Sequence, residues 1–473
     1  MNISESQPFK LFPVNKAQDN AYSYYSSNPL LQFEWNENFG RVIDPKSLRL
    51  CGKLRVFNKD ASDGAGNPIS GGQQPANRFD LDAPAGAQAS DEYVAYIDDR
   101  VSVSSVIANI SVANLKGNLF EQCKQYNRGL ASQMGVTSSY KDLCSLYQQT
   151  FASQPNNDGI SRACSGDIPF AVSLRTGFLQ NPAPLMLNNG GLQISISLAS
   201  TPNVVYGLNA DKFVYEIRDV FMTGKYLVLE QPLAPERSAM DYNAYYNYLN
   251  VLNSGNDHSN LNLNLSRVNF IYQNFIPAAW NNNFAYNGFS TPTLLELNGA
   301  AYEEKKMNEV SFNRGAVRYP FNYDLNFEKS NTAGCFQALR SREFLNAIFD
   351  FSDNRNCSIS PHTEDIATMV EPSANQPVLV TPQHADQGLV NQWQYNAGAA
   401  WSRGGNPEKA ANVFGIGLRL DNLYIDESAD YSRASYNYAI KSELNTTTNN
   451  TNVFALANTQ VFADQMGNLV ASN

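Results

Sequence analysis

Apolar residues recur at every second position along many short stretches of this chain, and that period fits one kind of local structure, the half-buried β-strand. It appears at Leu48 and Leu50, then Leu54 and Val56; at Val101, Val103 and then Val106; at Leu192, Ile194, Ile196 and Leu198; at Phe213, Tyr215 and Ile217; at Leu261, Leu263 and Leu265; and at Tyr436, Tyr438 and Ile440. Alternation puts apolar side chains on one face of a sheet and polar ones on the other. Sheets with one wet face are typically antiparallel. The pattern predicts an all-β protein.

Between the expected strands lie loops rich in Gly, Pro, Ser and Asn: Asp60–Gly86, Gln154–Gly166 and Asn445–Asn452 (NTTTNNTN). Three helices are expected. The clearest is Asn118–Met134, with Asn118 as N-cap, Glu121 in capping-box relation to it, apolar residues at helical spacing, and Gly135 as the stop. The others are Ser139–Phe151, opened by Ser139 and Asp142, and Ser341–Phe351, where Phe344, Leu345, Ile348 and Phe349 share a face. The order of strands, long loop, helix and strands occurs twice. That points to two tandem sandwiches, residues 1–226 and 227–473, with the boundary inside about 223–260 and the tyrosine-rich Gln231–Asn260 as the connection.

Composition narrows the function. With 34 basic and 44 acidic residues the formal charge is −10, and charged residues make up only 16% of the chain, against roughly 25% in an average soluble domain. A chain whose main work is holding nucleic acid needs a basic face, so no specific nucleic-acid partner is expected. No apolar run approaches the length of a transmembrane helix, and MNISESQPFKLF has neither the basic nor the apolar region of a signal peptide. The six cysteines (Cys51, Cys123, Cys144, Cys164, Cys335, Cys357) form no C-x-x-C pair and read as reduced thiols. The three histidines (His258, His362, His384) sit in polar, loop-like text, too few for a soft-ligand metal site.

No reaction assembles from the motifs. Gly52-Lys53 and Gly224-Lys225 lie in strand-like text rather than in a phosphate loop. In FGIGLRL, Gly415 and Gly417 lack the third glycine of a dinucleotide site, Leu420 standing in its place, and read as strand glycines. There is no G-x-S-x-G elbow. Glu303, Glu304 and Glu309 around Lys305 and Lys306, like Asp98, Asp99 and Arg100, read as solvated charge. The loop Ala278–Phe289 (AAWNNNFAYNGF) could hold a sugar between its aromatics; its plainer reading is interface packing. Sequons at Asn2, Asn109, Asn264, Asn356, Asn445 and Asn449 are coincidental in an Asn- and Thr-rich chain. The expected catalytic, cofactor-binding and metal-binding residues are therefore none, and no cofactor is expected. What remains is a β protein rich in Tyr and Phe and poor in Lys and Glu, the composition of surfaces that contact other protein.

Four stretches resemble the major capsid proteins of the double jelly-roll lineage, above all those of polinton-like viruses and virophages. NPLLQFEW with Val42–Phe57 resembles the opening strands of a first jelly roll, with Asp44-Pro45 as a turn. Arg100–Leu130 resembles a strand-then-helix passage in which a Gly precedes a helix bearing a Glu and a Tyr-Asn pair, here Gly117, Glu121, Tyr126 and Asn127. Lys212–Met222 resembles the strand that closes the first jelly roll, and Val413–Leu444 the late strands of the second. The stretches Asp60–Gly86 and Pro361–Glu408 have no counterpart in the pattern.

The resemblance implies two tandem jelly-roll sandwiches and a protein that builds rather than catalyses. Three chains would close into a pseudo-hexagonal trimer that tiles an icosahedral shell, with neighbouring capsomers, penton and minor or cement proteins as partners and the virion, assembled in the host cell, as location. The alternative from the residues alone is a carbohydrate-binding or carbohydrate-cleaving β-sandwich.

Overall fold

In the computed structural model, Leu192–Leu198 alternates between fully buried and half-buried positions along its whole length, as its period requires. The structure describes, apart from short breaks, residues 2–58, 74–75, 96–97, 101–130, 168–233, 240–327, 416–419, 436–442, 444–463 and 469–472.

The first half contributes β1 Ile3–Leu11, β2 Leu30–Trp35, β3 Arg41–Asn58, β4 Ile107–Ala113, β5 Leu119–Cys123, β6 Ile168–Val172, β7 Leu185–Met186, β8 Leu192–Leu198 and β9 Phe213–Leu229. They form two antiparallel sheets, one in the order β1-β9-β3-β7 with β6 also on β3, the other in the order β2-β8-β4-β5. The second half contributes β10 Met240–Leu252, β11 His258–Leu261, β12 Val268–Pro277, β13 Leu295–Asn298, β14 Ala301–Glu304, β15 Met307–Arg314, β16 Val317–Tyr319, β17 Ile416–Arg419, β18 Tyr436–Ser442, β19 Asn449–Ala463 and β20 Leu469–Ser472. Its sheets run β10-β19-β12-β17 and β11-β18-β15-β16. Among the described residues no strand from one half pairs with a strand from the other.

The core of the first sandwich is made by the inward positions of both sheets: Leu31, Phe33, Ile110, Val112, Ile194 and Ile196 against Leu50, Leu54, Tyr215, Ile217 and Met222. Each such side chain contributes about 1.5–3 kcal/mol by leaving water. The same core continues without a break into the second half through Tyr242, Ala244, Tyr245 and Leu456.

Several expectations change. Val101, Val103 and Val106 are buried, but Ser102–Val106 is a 3-10 turn and the strand starts at Ile107. Val103 and Val106 are three apart, which puts them on one side of a 3-10 turn. Leu261 ends a strand, whereas Leu263 and Leu265 are buried in the connection that follows. Within Gln231–Asn260, residues 240–252 form β10 and residues 258–260 begin β11. His258 opens β11, paired with Ala439, rather than lying in a loop. The last four residues of NTTTNNTN belong to β19. Helices Ser139–Phe151 and Ser341–Phe351, His362, His384, Cys144, Cys164, Cys335, Cys357, Asp98–Arg100 and the loop Gln154–Gly166 lie outside the described residues, as does Asp60–Gly86 apart from residues 74–75.

Candidate functional site

Among the described residues, a tightly bonded cluster lies where the two halves meet, and it grows out of the hairpin between β4 and β5. Fully buried Asn114 organises that turn. Its Oδ1 accepts the backbone N–H groups of Lys116 (3.1 Å) and Asn118 (2.8 Å), and its Nδ2 donates to the Asn189 carbonyl (3.2 Å). The chain therefore reverses at Asn114–Asn118 and returns as β5, with Val112 opposite Glu121 and Ile110 opposite Cys123. The expected helix Asn118–Met134 is corrected here. Leu119–Cys123 is a strand, and helical backbone is described only over residues 126–130. Pairing with β4 outweighs the helical spacing, because propensity yields to tertiary contact.

Glu121 is accordingly not a helix cap. Its side chain is 3% exposed and gathers backbone from two distant segments. Oε1 accepts the N–H of Gly177 at 3.1 Å and of Tyr245 at 2.9 Å, and Oε2 accepts the N–H of Phe178 at 2.7 Å. Burial pushes the Glu121 carboxyl up from its ordinary value. The hydrogen bonds from Tyr245, Phe178, Gly177 and Thr176 oppose that shift without cancelling it.

Around this carboxylate the halves interlock. The Tyr242 hydroxyl donates to the Phe120 carbonyl at 2.6 Å, and Asn181 Nδ2 donates to the Asp241 carbonyl at 2.9 Å. Phe178 stacks on Phe120 at 5.2 Å and meets Tyr242 edge-on at 5.1 Å, geometries worth about 0.5–1.5 kcal/mol each beyond burial. Gly177 lies so close to β10 that a Cβ there would sit 1.6 Å from the Asn243 carbonyl oxygen.

A second contact lies beside the first. Arg128 is 8% exposed, and its Nη2 donates to Asn281 Oδ1 at 2.6 Å. Burial lowers its guanidinium to about 10. Asn282 accepts from Ser200 and Asn203 of the first half, and Trp280 is buried. The described part of AAWNNNFAYNGF thus serves packing between halves, the plainer of its two readings.

Farther into the second half, Glu296 makes a related knot. It accepts the backbone N–H groups of Asn445, Thr446 and Thr447 and the Thr446 hydroxyl. Burial would raise its carboxyl, but these four donors outweigh burial and hold it below the ordinary glutamate value.

The arrangement joins the surfaces of the two halves. The cavity bordered by Cys123, Tyr126, Arg175, Tyr245 and Phe454 has a volume of about 10 Å³, room for about one water. Cys51 and Cys123 are buried free thiols. Burial and the neighbouring Glu121 push Cys123 well up, which suppresses the reactive thiolate. Among the described residues no three His, Cys, Asp or Glu gather as metal ligands, and no helix is long and apolar enough to cross a membrane. Gly52, Gly224 and Gly417 all lie within strands, not in phosphate or dinucleotide loops.

The residue missed in the sequence was Glu121, which stands between Phe120 and Gln122 in ordinary mixed text. Its partners lie 56, 57 and 124 residues away, so no local motif marks it.

Taken over its whole length, this arrangement is similar to a chain of the 3.5 Å cryo-EM structure of the Sputnik virophage, with a TM-score of 0.50 and 13% identity, covering 100% of this chain and 89% of that one. The fold is a double jelly roll. The mavirus major capsid protein is similar at a TM-score of 0.45 and 10% identity, covering 98% and 90% of the two chains. A chain of the PBCV-1 virus capsid model is similar at 0.48 and 10%, covering 100% and 98%. No protein-family model and no curated protein matches the sequence. In this double jelly roll the junction around Glu121 fixes one sandwich to the other.

Proposed function

We propose that this chain is a major capsid protein, a structural and non-catalytic subunit of an icosahedral virus shell. The observation that carries the reading is the likeness to the virophage chain, which spans all of this chain and both of its sandwiches. The junction supports it. Two sandwiches locked by Glu121, Tyr242 and Asn181 form one block with two lobes, and three such blocks around a threefold axis give six lobes in a ring with a pseudo-hexagonal outline. We place the division of the chain between Leu229 and Met240, where the last strand of one set of sheets ends and the first of the other begins. The partners are other copies of this chain, in the trimer and in neighbouring capsomers, together with penton and minor or cement proteins; the place is the virion, assembled within the host cell.

The carbohydrate reading has little to stand on. Its cleaving form needs two carboxylates facing one cleft. The buried ones among the described residues are already engaged: Glu121 and Glu296 by backbone N–H groups, Glu216 by Arg218 at 2.9 Å.

Size-exclusion chromatography with light scattering tests the proposal. The expected species is a trimer of roughly 157 kDa, three copies of 52.3 kDa, and negative-stain images should show six-lobed particles. A clean monomer at micromolar concentration overturns it.

A further inference from the structure

A strand at the end of a sheet exposes a row of unpaired N–H and C=O groups, a ready template for another chain. In this double jelly roll the terminal strands handle that hazard in different ways. β1 (ISESQPFKL) carries Glu5, Pro8 and Lys10, residues that discourage edge pairing. β2 is covered by its own chain: Val14 N–H donates to the Gln32 carbonyl at 2.7 Å, and Asn15 Oδ1 accepts the Gln32 N–H at 2.8 Å. β10 has no such protection in its sequence. MDYNAYYNYLNVL is thirteen residues with five aromatic or β-branched side chains, no proline and one charge, Asp241, a composition prone to strand addition.

Alternate residues of an antiparallel edge strand point their backbone groups away from the sheet. On β10 three consecutive members of that outward set are covered, each by the first sandwich. The Asp241 carbonyl receives Asn181 Nδ2, the Asn243 carbonyl lies against Gly177, and the Tyr245 N–H donates to Glu121. Further along, the Val251 N–H is held by the Asn250 side chain at 2.8 Å.

We infer that Glu121, Gly177 and Asn181 form a guard that keeps the edge of β10 from pairing with a strand of a second copy of this chain. A carboxylate suits this role, because it offers only acceptors to an edge N–H and presents no backbone ladder of its own to continue the sheet. The first sandwich is thereby required before the second is safe, and it is made first during synthesis. The inference rests on the junction alone and does not depend on assembly into a shell.

The test compares full-length Glu121→Ala with Asn281→Ala, which loosens the same junction at Arg128 and leaves β10 covered. In Glu121→Ala the amides of residues 243–247 should exchange with solvent at least about tenfold faster than in the parent. The variant should also form species larger than the parent that grow with concentration and carry intermolecular β signal in the infrared. Asn281→Ala should keep the parent size. The inference is overturned if Glu121→Ala keeps the parent size at all concentrations, or if Asn281→Ala associates equally. Should Glu121→Ala fail to accumulate, Asn181→Ala uncovers Asp241 alone: association beyond the parent supports the guard and the parent size overturns it. Every comparison is with the parent, so a monomeric parent would sink the capsid proposal and leave this test intact.

Discussion

Glu121 Oε1 accepts the N–H of Tyr245 at 2.9 Å across 124 residues of chain, so one side chain of the first sandwich completes the backbone of the second. Replacing that carboxylate by an amide puts an N–H₂ donor among N–H donors. Glu121→Gln should therefore destabilise the protein by about 2–3 kcal/mol, the cost of leaving buried groups unsatisfied. Urea unfolding followed by tryptophan fluorescence measures it. A change below about 0.5 kcal/mol, the range of ordinary surface substitutions, would mean the carboxylate is replaceable.

Gly177 meets the same edge of β10. With Asn243 oxygen 1.6 Å from where a Cβ would stand, Gly177→Ala cannot be accommodated by a side-chain rotation, since the obstacle is backbone. The expected loss is at or above the roughly 1–3 kcal/mol typical of overpacking. Limited proteolysis should then cleave between the sandwiches in Gly177→Ala at protease levels the parent resists.

How much of this was legible depended on the distance over which each residue acts. Leu192–Leu198 was readable because burial on one face of a strand imposes its period locally. Asn118–Met134 misled because Leu119, Phe120 and Cys123 fall at helical spacing, while the strand leaves Leu119 exposed and is chosen by pairing with Val112 and Ile110 on a neighbouring strand. Asn449–Asn452 read as loop because the segments that pair with it, Leu249–Leu252 of β10 and Asn274–Pro277 of β12, lie far back in the chain. The junction was hidden for the same reason: Glu121, Gly177 and Tyr245 are ordinary one at a time and meet only in the fold.

The turn that creates β5 provides a third prediction. Asn114 satisfies two backbone N–H groups and one carbonyl at a fully buried position. Asn114→Ala orphans all three and should cost about 2–3 kcal/mol, whereas Asn114→Asp keeps the two accepted bonds and loses only the one donated to Asn189. Thermal melts should rank the parent above Asn114→Asp, and Asn114→Asp above Asn114→Ala. An alanine variant as stable as the parent would mean the hairpin forms without its side-chain anchor.

Two buried glutamates give stability opposite responses to acid, and the signs follow from their surroundings. Hydrogen bonds hold the Glu296 carboxyl below the ordinary value in the folded chain, so the unfolded chain takes up its proton first. The stability it supplies is present above the unfolded glutamate value, about 4.3, and is lost as pH falls through the lower folded value. Glu121 is raised by burial. The folded chain then binds its proton first, and its contribution improves as pH falls from the folded value toward about 4.3. Unfolding free energy measured from pH 7 to pH 3 should therefore lose part of its acid decline in Glu296→Gln, while Glu121→Gln should remove a gain and steepen the decline. Amide protection factors at Asn445–Thr447, which correct for the intrinsic slowing of exchange in acid, should fall with pH only while Glu296 is present, and this ties the first effect to its residue. If the two variants change the pH profile in the same direction, one of the two assignments is wrong, and the exchange rates at Asn445–Thr447 identify which.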